Sequence, residues 1–439
     1  MDEDRKAQLL RILADEWKAR HDSAFVPGKT KVQYSGGILD QTEVMAVTDA
    51  MLDGWLGMGR RAAKFEKRFA GIVGSKNSLL VNSGSSANLL AMSVLVSNDF
   101  RRKMRPGDEV VTPATTFPTS LNPIFQVGLS PVLVDVDIGT YNPTAEALKK
   151  ATSTKTRAFF LPHALGNPNE MDAVMEFADK KGIMVVEDAC DALGGTYGGK
   201  QLGSFGLMGS FSFYPAHHIT LGEGGALVSD DEDALIIARS LRDWGRACVC
   251  APCKITMNPD AKCAMRYDYE DDTFPADYDM RYIYTRLGYN LKVTEIQAAL
   301  GLAQLDRLED VVKVRKRNFH FLYDLFAPYD KWFALPTWSD KADPSWFAFP
   351  LTIRKKAPFN RSKLVKWYEG NNIETRMMFA GNVMRQPAYK GLKMRIAGKL
   401  DNSETIMHST FFLGVYPGLD SERLEYVSES TLEFLKRKR

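Results

Sequence analysis

The stretch SLLVNSGSSANLLAMSVLV, Ser78 to Val96, joins two periodicities through a turn of small residues. Ser78–Val81 reads as a short buried strand, whereas Ala87–Val96 is apolar over a length that suits a helix. In the intervening NSGSSAN, the backbone N–H groups of Gly84, Ser85 and Ser86 can approach an anion at the start of that helix, as phosphate binding requires. A Ser-rich cap before an ordinary helix has the same look.

The same alternation continues downstream. EVVT (Glu109–Thr112), PVLVDV (Pro131–Val136), AFFLP (Ala158–Pro162) and IMVVED (Ile183–Asp188) are further strand candidates, separated by helix patterns such as TAEALKKAT and MDAVMEFADKKG. Strands alternating with helices predict an α/β fold with a mostly parallel sheet, whose ligand sites gather at the carboxyl ends of the strands. The predicted organisation is an N-terminal helix and arm over 1–45, a large domain over 46–308, and a smaller α/β C-terminal domain over 309–439.

Composition fits a globular protein: 439 residues, 45% of them hydrophobic, with 57 Lys and Arg against 54 Asp and Glu. No basic block with interleaved aromatics stands out beyond the short terminal Lys436–Arg439, which argues against nucleic acid as the main partner. The charged start and the lack of a long apolar run lead us to expect a cytoplasmic protein with no membrane partner. Disulfides are then not expected, so the five cysteines read either as buried fillers or as metal ligands.

Several strand ends carry chemistry. TTFPTS offers Phe117 as a flat apolar face for an aromatic ring, and VVEDAC ends a strand on Asp188, whose carboxylate suits a protonated pyridine nitrogen. Singly, a Phe is more often core and such an Asp more often a cap. The order of phosphate loop, aromatic, acid, SFYPAHH (Ser212–His218) and LGEGGALVS resembles the fold-type I pyridoxal-phosphate enzymes, aspartate aminotransferase-like in fold. Within them it is most similar to the sugar aminotransferase and dehydratase family of nucleotide-linked 4-keto sugars. GRRAAKFEKRFA (Gly59–Ala70) and LGYNLKVTEIQAALGLAQL (Leu287–Leu305) extend the resemblance. It implies that Ser212 bonds the cofactor phosphate and that Asn290 reaches into a neighbouring subunit's site, hence a homodimer.

In the family's aminotransferases the pattern is S-F-x-x-x-K; here the sixth position is His217. An imidazole cannot hold the cofactor covalently but can act as a base near neutral pH. Neither Lys200 nor Lys292 stands at the required position. Family members with this replacement use pyridoxamine 5'-phosphate, bound non-covalently, to remove the C-3 hydroxyl of a 4-keto-6-deoxy sugar nucleotide. The resemblance also puts Asp191, where an aminotransferase has Gln, beside the cofactor's phenolic oxygen or behind His217. His218 is the competing base, although it points to the other side of an extended segment. His163, in LPHALGNP, is a further site neighbour or a structural histidine.

The cysteines are similar to those of the CDP-6-deoxy-L-threo-D-glycero-4-hexulose 3-dehydrase family, which binds a 2Fe-2S cluster through C-x57-C-x-C-x7-C. Cys190, Cys248 and Cys250 match the first two intervals; the fourth ligand is Cys263, after a five-residue insertion, or else Cys253. At ~3.3 Å per residue Cys190 lies roughly 7 Å from Asp188, close to where the cofactor ring would sit. Four thiolates suit zinc as well as iron. The resemblance implies a CDP-linked substrate and electrons from a separate NAD(P)H-dependent iron-sulfur flavin reductase, in 3,6-dideoxyhexose biosynthesis. An iron-free dehydratase and a non-catalytic family member are the alternatives. In ETRMMFAGNVMRQPAY, Arg376 and Arg385 are candidates for the substrate diphosphate.

Overall fold

The computed structural model describes residues 3–21, 24–248, 250–258 and 260–437. An eight-stranded sheet organises the chain: β1 (Asn77–Val81), β2 (Glu109–Pro113), β3 (Ser130–Val134), β4 (Thr156–Pro162), β5 (Met184–Asp188), β6 (Met208–Ser212), β7 (Gly225–Ser229) and β8 (Arg395–Ala397). Their spatial order is β1-β7-β6-β5-β4-β2-β3-β8. All neighbours from β6 to β8 run parallel, while β7 is antiparallel to both β6 and β1. The five strands expected from the sequence lie where the aliphatic runs put them.

Both faces of the sheet are buried, which explains why the strands read as continuous apolar runs rather than alternating ones. Along β4, Ala158 and Phe160 enter one hydrophobic core while Phe159 and Leu161 enter the other. Helix Arg60–Val73 lays Phe65 and Phe69 on the first face, where Phe69 meets Phe211 and Phe213 edge-on at 5.0 and 5.2 Å. These contacts anchor the end of β6, from which the turn carrying His217 departs.

Strands β6 and β7 were not expected, because MGSFS and GALVS have weak strand propensity. Close packing overrides it: a Cβ on Gly209 would stand 2.0 Å from the Gly203 carbonyl, so only glycine lets β6 lie there. The C-terminal segment has its own antiparallel sheet (Phe333–Ala334, Ala348–Ile353, Thr410–Gly414, Arg376–Met377) and its own core around Phe319 and Trp346. Yet its residues 395–397 return to the large sheet as β8, parallel to β3, and Arg395 pairs with Glu109 at 2.7 Å. The N-terminal arm joins the small domain through a Val32–Ile373 bridge and a Lys31–Glu374 ion pair at 3.0 Å.

Candidate active site

A cavity of about 660 Å³ opens at the carboxyl ends of β4, β5 and β6. Gly84, Ser85, Phe117, His163, Asp188, Cys190, Asp191, Ser212 and His217 all line it, so most of the expected site converges on one place.

The floor is the turn after β1. Ser83 caps helix Gly84–Val96, its Oγ accepting the Ser86 N–H at 3.0 Å. The Ser86 hydroxyl donates to Asn82 Oδ1 at 2.6 Å. Ser86 therefore secures the cap instead of lining the cavity, which corrects its expected role; Gly84 and Ser85 remain beside Ser212. A Cβ on Gly84 would lie 2.5 Å from Ser212 Cβ and 2.8 Å from Cys190 Sγ, so glycine is required for this approach.

Asp188 is held by three donors. Its Oδ2 accepts from Asn88 Nδ2 at 2.8 Å and Ser120 Oγ at 2.6 Å, and Oδ1 accepts the Cys190 N–H at 3.2 Å. Phe117, at the start of helix Pro118–Gln126, is 54% exposed and faces the cavity. An aromatic left uncovered beside an oriented carboxylate suits a planar heteroaromatic ligand. Across from it, His163 is buried with both ring nitrogens engaged: Nε2 lies 3.0 Å from Glu187 and Nδ1 accepts the Asn169 N–H at 3.2 Å. It can present a surface to a ligand, but it has no free nitrogen for proton transfer.

His217 sits in a turn closed at its base, where the Phe213 carbonyl accepts from the Leu221 N–H and the Thr220 hydroxyl. Its Nδ1 is buried without a hydrogen bond, with Asp191 Oδ1 at 3.4 Å. Burial, then the charge of Arg315, pushes the imidazole down to about 3. Asp191 moves the other way: burial, then the neighbouring Asp188, pushes it up to about 8, against the Leu165 N–H and Arg315. At neutral pH the pair is thus uncharged, and the imidazole keeps a lone pair. His218 turns away, its Nε2 2.6 Å from the Ser345 carbonyl.

Asn290 is exposed and outside this cavity, bridged to Asp243. Cys190 lies under Gly84 with the carboxyl groups of Asp188 and Asp191 as neighbours, and burial pushes its thiol well up. The other cysteines belong to the segment after helix Glu232–Arg242, where Cys248 is raised by burial and then by Cys250 and Cys253, with Cys263 also contributing. Among the described residues no group of three or more His, Cys, Asp or Glu is arranged to hold a metal ion. Among the described residues the structure therefore does not assemble the four-thiolate site that the spacing suggests.

At the mouth, Arg376 stacks over Tyr34 at 4.2 Å and pairs with Glu374 at 2.6 Å, whereas Arg385 turns out onto Glu404 at 3.0 Å. Tyr34, Glu223, Phe347 and Gln386 also line the cavity; Glu223 and Gln386 lie within quoted stretches but were not singled out there. Asn88 and Ser120 were also missed, although both lie within quoted stretches; their role emerges only when helix and strand are packed.

The pattern of the DegT/DnrJ/EryC1/StrS aminotransferase family matches residues 38–431. The chain is 44% identical over 429 residues to the lipopolysaccharide biosynthesis protein RfbH of Salmonella typhimurium, covering 98% of this chain and 97% of that protein. It is 43% identical to the dTDP-4-dehydro-2,6-dideoxy-D-glucose 3-dehydratase of Saccharopolyspora spinosa, covering 98% and 92%. The solved E. coli GDP-4-keto-6-deoxy-D-mannose-3-dehydratase with bound hydrated PLP superimposes with a TM-score of 0.81 at 29% identity, covering 91% of this chain and 100% of that one. The chain belongs to the DegT/DnrJ/EryC1/StrS aminotransferase family.

Proposed function

We propose that this family member is a nucleotide-sugar 3-dehydratase that uses non-covalently bound pyridoxamine 5'-phosphate to remove the C-3 hydroxyl of a nucleotide-linked 4-keto-6-deoxyhexose. The observation that carries the reading is His217: an imidazole occupies the position of the family's lysine, and no lysine lines the described cavity. The residues fit the cofactor. Gly84, Ser85 and Ser212 would hold its phosphate, Phe117 its ring face and Asp188 its ring nitrogen. Bound there, it supplies an amine for the sugar ketone and a ring that can take up an electron pair. His217 removes and returns the proton that this chemistry moves, through Nε2, because Nδ1 is buried towards Asp191. Asp191, 3.4 Å from Nδ1, is placed to set the tautomer: once it gives up its proton near pH 8 it accepts Nδ1–H and leaves the Nε2 lone pair free. Arg376 and Tyr34 at the mouth suit the nucleotide diphosphate.

The reading is tested by incubating the protein and cofactor with CDP-, dTDP- and GDP-linked 4-keto-6-deoxyhexoses and following loss of water by mass spectrometry. The cysteine resemblance favours the CDP sugar. Changing His217→Asn should slow the reaction roughly 10²- to 10⁴-fold. An amino sugar formed from an amino donor, or failure to bind the cofactor at all, would overturn the proposal.

The cysteine spacing supports a 2Fe-2S cluster on Cys190, Cys248, Cys250 and Cys263, fed by an NAD(P)H-dependent reductase. No group of three or more such ligands is assembled among the described residues, so no step above passes through that site, and this supports a second reading, an iron-free dehydratase. Iron, sulfide and zinc analysis after anaerobic purification decides between them: about two irons and two sulfides per chain support the cluster. The proposal also includes a cytoplasmic homodimer in which Asn290 serves the partner's site.

A further inference from the structure

Arg315, on helix Leu308–Phe326, is 1% exposed and makes no ion pair with a carboxylate among the described residues. Such a cation is expensive to bury, so its contacts need an explanation. One arm of the guanidinium donates to the Phe347 carbonyl at 2.9 Å. The other donates to the carbonyls of His217 at 3.1 Å and Ala216 at 3.3 Å, and Ser35 Oγ donates to the same Ala216 carbonyl at 2.6 Å. The Phe347 ring, in turn, lies 5.2 Å from the His217 ring.

We infer that Arg315 is a positioning residue for His217, its fork pinning the carbonyls of Ala216 and His217 against Phe347 and so fixing the imidazole's distance and angle to Asp191 and the cavity. This inference rests on His217 being the base. A lysine could supply the charge but not two arms in one plane.

The test compares Arg315→Lys and Arg315→Met. Arg315→Lys should lower kcat by roughly 10- to 100-fold while KM stays within about threefold, and should have no further effect in a His217→Asn background. A second readout needs neither cofactor nor turnover: ¹⁵N-histidine spectra of the apo-protein, with the His217 signals assigned by their loss in His217→Asn. These report the tautomer and surroundings of the imidazole at one fixed pH. Arg315→Lys should show altered His217 shifts, and folded Arg315→Met larger ones. The inference is overturned by wild-type kcat in Arg315→Lys, by an equal loss in the His217→Asn background, or by unaltered His217 shifts in Arg315→Lys. It is also overturned if folded Arg315→Met keeps the wild-type His217 shifts; if that variant does not fold, the Arg315→Lys results decide. Near-normal dehydration by His217→Asn would instead sink the base assignment, and the apo spectra would still judge the clamp.

Discussion

Replacing Asp191 with Asn should change how stability depends on pH, and the sign follows from the pair it forms with His217. Asp191 titrates near 8 in the folded protein, raised from 3.8. Its contribution is fully present below the lower value and is lost as pH rises through the higher one, because only the folded state keeps the proton. His217 is lowered from 6.5 to about 3, so its contribution grows as pH rises between those values. The two slopes oppose each other from about pH 4 to 6.5, and above that Asp191 acts alone. Each pH unit is worth about 1.4 kcal/mol, giving about 2 kcal/mol between pH 6.5 and 8. The carboxyl and the imidazole, 14% and 15% exposed, face an open cavity, and water there reduces the figure to about 1 kcal/mol. Urea unfolding of the apo-protein should show a wild-type midpoint roughly 0.3 M lower at pH 8 than at pH 6.5, a drop absent in Asp191→Asn. Between pH 4 and 6.5 the variant should instead gain stability as the unopposed His217 contribution appears. Parallel curves for wild type and variant across pH 6.5–8 would refute the reasoning, since Asp191 would then titrate alike in both states.

Gly84→Ala should weaken cofactor binding at least tenfold in an absorbance titration, because the new methyl would sit 2.5 Å from Ser212 Cβ and push the phosphate turn off β6; unchanged affinity would show that the turn can yield. Asn88→Ala removes a 1%-exposed amide that bonds both Asp188 and Ser210. It should cost about 1–3 kcal/mol in urea unfolding and also lower cofactor affinity. Arg395→Ala breaks a two-bond pairing that holds Glu109 down near 2. With Arg395 partly exposed, the loss at pH 7 should be about 1 kcal/mol. The wild-type contribution is present above about pH 4.5 and lost as pH falls towards 2, so the two unfolding curves should converge in acid.

What could be read from the chain and what could not divide along one physical line. The aliphatic runs Leu79–Val81 and Phe159–Leu161 are buried on both faces of the sheet, and burial of that kind leaves a local trace in composition. Gly84, Ser85, Phe117 and Asp188 stand at or next to strand ends, so an alternating pattern already places them on one edge, whereas Ser212 came from the family resemblance alone. Strand β6 left no such trace, because its glycine is chosen by the backbone of Gly203 and not by local propensity. The charges around His217 were equally invisible. The 3.4 Å approach of Asp191 spans 26 positions, and the bonds from Arg315 to the Ala216 and His217 carbonyls reach about a hundred positions back along the chain. No periodicity records which helix will be packed behind a turn.

The same distinction bears on the lysine replacement itself. A lysine tethered to its cofactor is held in place by a covalent bond, whereas an imidazole at that position has only its surroundings to aim it. The structure supplies those surroundings from three separate parts of the chain: Asp191 beside Nδ1, Phe347 beside the ring, and Arg315 behind the backbone. Substituting histidine alone into a lysine-bearing relative would therefore give an imidazole without a fixed direction. The proposed base at 217 is better regarded as a set of contacts than as a single residue, and Arg315 is the member of that set that reaches the imidazole through the backbone carbonyls it holds.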